Sequence, residues 1–325
     1  MELTKYTQGM FDALPIVNRY KQCPTGDYSA IKDIQDHCYF ESNSRFGDGC
    51  DFGRGCIFGN WCFFKECCRF EEYCSFGNDC SFGECCEFGM KCSFGERCNL
   101  YGGCGIAEQC SFGRSCTFGR RIEFEPDCVF GEFCKFGMCC NLKGYCRIGN
   151  DCCFEERCSF GIKNQFGFRC NFQKECKFLD QCDFGMKCTF SDSCNFDNNC
   201  NFGSTCLFYN KCKFERECIF GGYCQFDEKC MLGVFCLFGN DCSFSKCRCE
   251  FGEFDQMISC GGFGREQRTT YFFHLTNDDI YVRCGCFHGS INKWKKQVKV
   301  THKRTKLKKA YLALIPAVKA QFEAN

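Results

Sequence analysis

Proline is scarce in this chain, at four residues in 325, and tryptophan and histidine number only two and four. A collagen-like fibre is excluded, because glycine shows no three-residue period. No window of 18 residues is uniformly apolar, so no membrane-spanning helix is expected. The N-terminus, MELTKYTQGMFDALPIVNRYKQ, has no basic stretch leading into an apolar run, and a secretory leader is not expected. Neither a G-x-x-x-x-G-K-[ST] phosphate loop nor a G-x-S-x-G nucleophile elbow occurs, and T-x-T ladders are missing as well.

Two residue types dominate instead: 42 Cys and 42 Phe. This is unlike an average globular domain, and the apolar share of 45% excludes a disordered chain. From Cys38 to Cys242 a Cys falls on 32 of 35 positions spaced six apart, the exceptions being Ser44, Ile122 and Asn164. Two residues after each position stands a second apolar residue, from Phe40 to Phe244. It is Phe at 30 of the 35, with Leu100, Ile106, Leu142, Ile148 and Leu232 as the others. Glycine commonly follows, giving C-x-F-G-x-x, as in CSFGND (74–79). The phase first slips at Cys249–Phe251, one residue late.

A six-residue period matches neither the helical 3.6 nor plain alternation, but it suits a solenoid of short strands joined by tight corners. Residues two apart on a strand share a face, so Cys and Phe both point inward. The glycine after Phe is expected to make the corner, where positive φ costs it little. The two variable positions are mostly charged or amidic and suit a solvated rim.

Read from Phe, the unit F-G-x-x-C-x resembles the hexapeptide of left-handed parallel β-helices, over residues 38–252. That resemblance implies three units per triangular coil and about 11 to 12 coils, a rod of about 55 Å at one strand spacing per coil. Phe where the family prefers Ile, Leu or Val is a departure. Many members are acyltransferases with a solenoid His as general base. Here His37, His274, His288 and His302 all fall outside the regular coils, which removes the usual proton acceptor. No catalytic residue is assigned.

Inward cysteines one coil apart should have parallel Cβ vectors at about strand spacing, wider than the roughly 3.8 Å a disulfide prefers. Zinc needs four converging ligands, which Phe layers do not offer. The in-register thiols are therefore read as small core residues, reduced and unbridged, in a cytoplasmic protein; no cofactor is expected. The cysteines that precede a core position, Cys67, Cys85, Cys139 and Cys247, differ by multiples of 18 and should share one outward edge. Trp61, Phe133 and Tyr223 hold the equivalent place on a second edge, and Tyr73, Tyr145 and Phe235 on the third. Residues 61–74 and 133–146 match at a distance of 72, which internal duplication explains as well as a binding surface does.

Residues 1–37 are expected to cap the first coil, and residues 253–325 to form a small α+β module. Within the latter, TTYFFHL and IYVRCGCF read as strands about a TNDD turn, and INKWKKQVKVTHKRTKLKKAYLALIPAVKAQF as helix. Residues 281–311 resemble a small C-terminal module of uncharacterised bacterial and phage proteins, with Ser290 where that pattern has Thr and Lys303 where it has Gly. Cys260, Cys284, Cys286 and His288 are weak metal-ligand candidates, because C-x-C-x-H has no standard spacing. Residues 280–325 carry a net +10, so the rest of the chain carries −9. On one helix Lys295, Lys299, Lys303 and Lys306 would form a basic stripe opposite Trp294, Val298, Leu307, Tyr311, Leu314 and Val318.

These readings describe a non-catalytic scaffold rod, whose C-terminal resemblance implies a phage or prophage context and whose partners are another protein or a second copy, with no membrane contact. Nucleic acid bound through residues 293–309 is the first alternative, and a hexapeptide-type acyltransferase the second.

Overall fold

The computed structural model describes residues 3–233, 235–249, 252–263, 268–303 and 306–324. Each six-residue unit supplies one two-residue strand and one corner. In the unit of Cys74, the strand is Ser75–Phe76, Gly77 follows, and Asn78–Asp79 turn the chain. The strand is short because its inward Phe and outward neighbour fill the side of a narrow prism.

Register is uniform. Ser75 pairs with Ser93 and Phe76 with Phe94, and the next two sides repeat the offset, with Ser81 on Asn99 and Glu87 on Gly105. Cys74 therefore lies one coil from Cys92, and three units close each coil. The result is an all-β parallel solenoid of about 13 turns. It exceeds the 11 to 12 expected because residues 20–34 wind as well: Lys21 pairs with Cys38, Asp27 bridges Arg45 and Asp33 pairs with Asp51. Across that first coil lies a short helix, α1 (Gln8–Asp12). Its buried Phe11 ring stacks parallel to Phe40 at 6.4 Å and meets Tyr28 edge-on at 6.3 Å. His37 is likewise part of the solenoid rather than outside it: it takes a corner position, with its ring edge-on to Tyr20.

Inside, the rings make two kinds of contact. Phe172 lies parallel to Phe154 and to Phe190, both at 4.9 Å, because strand spacing sets the ring spacing. Within the coil it meets Phe178 edge-on at 5.0 Å. Burial contributes about 2–3 kcal/mol per ring, and the edge-on geometry about 0.5–1.5 kcal/mol more. Leu100, Ile106, Leu142 and Ile148 break the ring columns and remain buried.

The corners differ from the sequence expectation. The glycine after Phe does not take positive φ. That conformation belongs to the residue just before each Cys, with φ +62° at Trp61, +57° at Cys67 and +59° at Asp79. The glycine serves close approach instead: a Cβ on Gly89 would lie 2.8 Å from the Glu71 carbonyl carbon one coil below. Left-handed backbone is costly for a bulky residue, and each corner offsets it by bonding to the coil above, as Trp61 N–H does to the Asn78 carbonyl at 2.9 Å. Asparagines complete the corners, Asn60 Oδ1 accepting from Asn78 N–H at 2.7 Å and Asn78 Oδ1 from Glu96 N–H at 2.8 Å.

The inward thiols do more than fill space. Cys74 donates to the Gly53 carbonyl at 3.5 Å, and its sulfur accepts the amide N–H of Cys56 one coil below. The same pattern recurs along the rod, for example at Cys80 and Cys86. The exceptions test its meaning. Asn164, fully buried, accepts from Cys146 N–H at 2.8 Å and donates to Gly161 O at 2.9 Å, which is the thiol's double role played by an amide. Ser44 donates to Glu41 O at 2.8 Å. Ile122 does neither, so Cys is replaceable by an apolar residue at that place.

At the far end the register slips earlier than expected. The corner Ser245–Lys246 is one residue short, so Cys247 turns inward, fully buried, with its thiol on the Phe226 and Asp227 carbonyls. Phe251 lies outside the described residues. The strand Cys247–Cys249 then pairs antiparallel with Gly252–Phe263, which leads through Arg268–Leu275 and Ile280–Cys284 to Phe287–Ser290. Alternation gives this sheet two working faces. Phe254, Tyr271 and Phe273 seal the last coil, Phe254 lying 5.2 Å from Phe244. Phe272, Ile280 and Val282 pack under two helices, α2 (Ile291–Thr301) and α3 (Lys306–Glu323). Arg283 completes the seal, its guanidinium over the Tyr271 ring at 4.8 Å and donating to the Cys236 carbonyl.

Replacing Cys176 by Ala should cost about 1–3 kcal/mol, because it removes a buried acceptor and a donor together. Cys176→Ser, which keeps both, should cost less than Cys176→Ala in thermal or denaturant unfolding. Equal losses for the two would reduce the thiol to packing alone.

Candidate interaction surfaces

Because each corner column carries one side chain per coil outward, the corners are where this fold displays chemistry. Trp61, Phe133 and Tyr223 do share one column and are 60%, 44% and 60% exposed. Tyr73, Tyr145 and Phe235 occupy another and are also exposed. The 72-residue repeat extends to the pairs these residues make. Lys91 lies 5.3 Å over the Tyr73 ring and Lys163 lies 5.4 Å over that of Tyr145. Likewise Arg97 pairs with Asp79 at 2.8 Å and Arg169 with Asp151 at 2.6 Å. The Arg169 guanidinium holds the Asp151 carboxyl below the usual carboxylate range.

On the third column Cys67, Cys85 and Cys139 are exposed, as their spacing implies. Cys247 is not on that edge; the shortened corner turns it inward, as described above. Along the ladders neighbouring thiols bond one another, which raises some and lowers others: the bonds to the Cys38 and Cys74 thiols bring Cys56 down to about 4 against burial. Cys74 is pushed up to about 12, first by its bond to the Cys56 thiol, with burial adding to it. Cys140 is pushed up by its bond to the Cys158 thiol and then by burial. Nearly all the ladder sulfurs are fully buried, which closes them to reagents in solution.

The four weak metal candidates do not converge. Cys260 and Cys284 both lie opposite Thr270, on strands either side of it, while Cys286 is exposed and His288 pairs with Arg283. Cys284 Sγ sits 3.1 Å from Thr270 Oγ1. Among the described residues no group of three or more metal-ligating side chains occurs.

The basic segment is two helices, not one. At His302 the backbone turns non-helical (φ −112°, ψ 50°), so Lys295 and Lys299 ride on α2, Lys303 on the connection and Lys306 on α3. The expected continuous stripe is thereby divided, and Arg304 lies outside the described residues. The apolar side is shared in the same way, with buried Trp294 and Val298 from α2 meeting Tyr311 and Val318 from α3. Among the described residues, Lys293, Lys295, Lys296, Lys299, Lys306 and Lys309 make no ion pair. Along the rod, by contrast, charges are paired from coil to coil.

Two features escaped the corner argument because they sit on strand faces. Phe63, 42% exposed, adjoins Trp61 and Arg45 in a groove of about 870 Å³ at the N-terminal end. Ile219 and Leu237, paired neighbours 46% and 45% exposed, make an apolar patch near the other end. A hydrophobe at the x of C-x-F was the available signal for both. The same position places Cys153 outward. A polar groove of about 750 Å³ runs past Tyr145, Lys163, Gln181 and Asn199.

Among the described residues no helix is long and apolar enough to cross a membrane. Comparison with protein-family models, with curated proteins and with solved structures found no match.

Alkylation of the folded, reduced protein should label Cys67, Cys85, Cys139, Cys153 and Cys286 and leave the ladder cysteines for a second label after unfolding. Mass spectrometry locates each adduct. Native labelling of Cys247 would restore the outward placement inferred from spacing.

Proposed function

We propose that this protein is a non-catalytic scaffold, a rigid rod of the left-handed hexapeptide type that holds exposed corner aromatics and a basic helical end at set distances for a protein partner. A second copy is the partner favoured here. The observation that carries this reading is the use of the inward residues: thiols and rings are consumed by hydrogen bonding and packing, leaving surface display as the rod's available chemistry. Of the four histidines, His37 alone stands at a solenoid corner, where its ring packs edge-on against Tyr20. That argues against an acyltransferase. The all-thiol core suits a reducing compartment such as the cytoplasm, and the phage-like C-terminal pattern suits a viral or prophage structural role.

Charge favours self-association. Residues 1–279, of net −9, and residues 280–325, of net +10, are complementary between copies. Light scattering should give a mass above the monomer at low salt, falling toward the monomer at high salt and in Lys295→Glu/Lys299→Glu/Lys306→Glu. A monomer under all conditions would refute self-association.

A second reading, nucleic acid bound at α2 and α3, is favoured by the unpaired lysines. If it holds, affinity for duplex DNA or RNA falls steeply and log-linearly with salt, and the triple reversal abolishes it irrespective of sequence. Binding that ignores salt would exclude it.

A further inference from the structure

The column that holds Cys67 and Cys85 runs Gly49, Cys67, Cys85, Gly103, one residue per coil. Both cysteines are exposed and share one backbone conformation, φ +57° and +58°. Their amides bond upward to Glu84 O at 2.9 Å and Gly102 O at 3.1 Å, so the backbone holds the two residues one coil apart.

The glycines on either side are not there to permit the turn. Elsewhere the same left-handed position carries Trp, Tyr, Lys, Arg and Glu. What Gly49 and Gly103 remove is bulk. A Cβ on Gly49 would meet nothing within 4 Å, and one on Gly103 would sit 3.3 Å from Cys85 Sγ. The thiol pair is thus open from above and below, unlike Cys139, whose column neighbours are Arg121 and Arg157.

Spacing selects what the pair can hold. Parallel Cβ atoms about 4.8 Å apart are too far for an unstrained disulfide, which prefers about 3.8 Å. Two metal–sulfur bonds of about 2.3 Å laid end to end span about 4.6 Å, close to one coil step. Soft thiolates select a cuprous ion, and a d10 monovalent ion accepts two ligands in line. Among the described residues no third Cys or His joins the pair, which leaves zinc's tetrahedral set unmet.

We propose that Cys67 and Cys85 form a surface site for a two-coordinate soft monovalent cation of the cuprous class. Binding exchanges two S–H bonds for two S–Cu bonds and releases two protons, with no change of oxidation state.

The test is anaerobic titration of the reduced full-length chain with cuprous ion against bicinchoninate as competitor, followed by X-ray absorption at the copper edge. One tightly held ion per chain, with two sulfur neighbours in line, is expected. Cys67→Ser and Cys85→Ser should each remove it entirely, Cys139→Ser should leave it, and unchanged circular dichroism should accompany all three. Filling the gap by Gly103→Arg should weaken binding while both thiols remain titratable. Retention of copper in either Ser variant, a coordination shell of three or four sulfurs, or a Cys67–Cys85 disulfide formed in place of the copper site would overturn the proposal.

Discussion

The structure depends on one repeated contact, a buried thiol that joins two coils. A corner every six residues leaves an inward amide N–H that the strand ladder does not use. A side chain there must be small enough to share a coil with three rings and polar enough to accept that N–H and donate to a carbonyl. Cysteine meets both demands weakly at each site, and the repetition makes the sum large. Asn164 makes the point most clearly, since an amide there accepts from Cys146 and donates to Gly161. Phenylalanine follows from the same geometry: with Cys at the corners, space remains for a ring on every side, stacked at the strand spacing.

With the interior committed in this way, the outside is free to vary. Corner residues accept left-handed backbone whatever their type, because each amide is tied to the next coil. The sequence can therefore write aromatics, cations or thiols onto an edge at intervals of one coil. The Tyr–Lys and Asp–Arg pairs recur at 72 residues, so a decorated block repeats with its contacts. The ends are handled differently, by Phe11 at one and by Phe254, Tyr271 and Arg283 at the other, because open coils expose unpaired strand edges.

Much of this was legible in the sequence. The six-residue period, the inward pair and the 18-residue stacking all follow from side-chain alternation and from one uninterrupted phase. The outward placement of Cys67, Cys85, Cys139, Trp61, Phe133 and Tyr223 follows as well. What failed did so for local reasons. Positive φ was assigned to the glycine because glycine tolerates it best, whereas the glycine is required by backbone close to Glu71 and its equivalents. Cys247 was placed outward by counting, and a corner one residue short reversed it. One long basic helix was read where the chain breaks at His302, because the lysine pattern runs on across the break. That thiols serve as bonding groups was hidden, since composition reports burial but not which amide each sulfur meets.

Each ladder thiol donates to a carbonyl one coil away, as at Cys74, Cys80 and Cys86, and the S–H stretching band in the Raman spectrum of the folded protein reports on that bond directly. A strong band displaced to lower frequency than a free thiol, moving to the free-thiol position on unfolding, is predicted. A band at the free-thiol position in the folded state, or none at all, would contradict it.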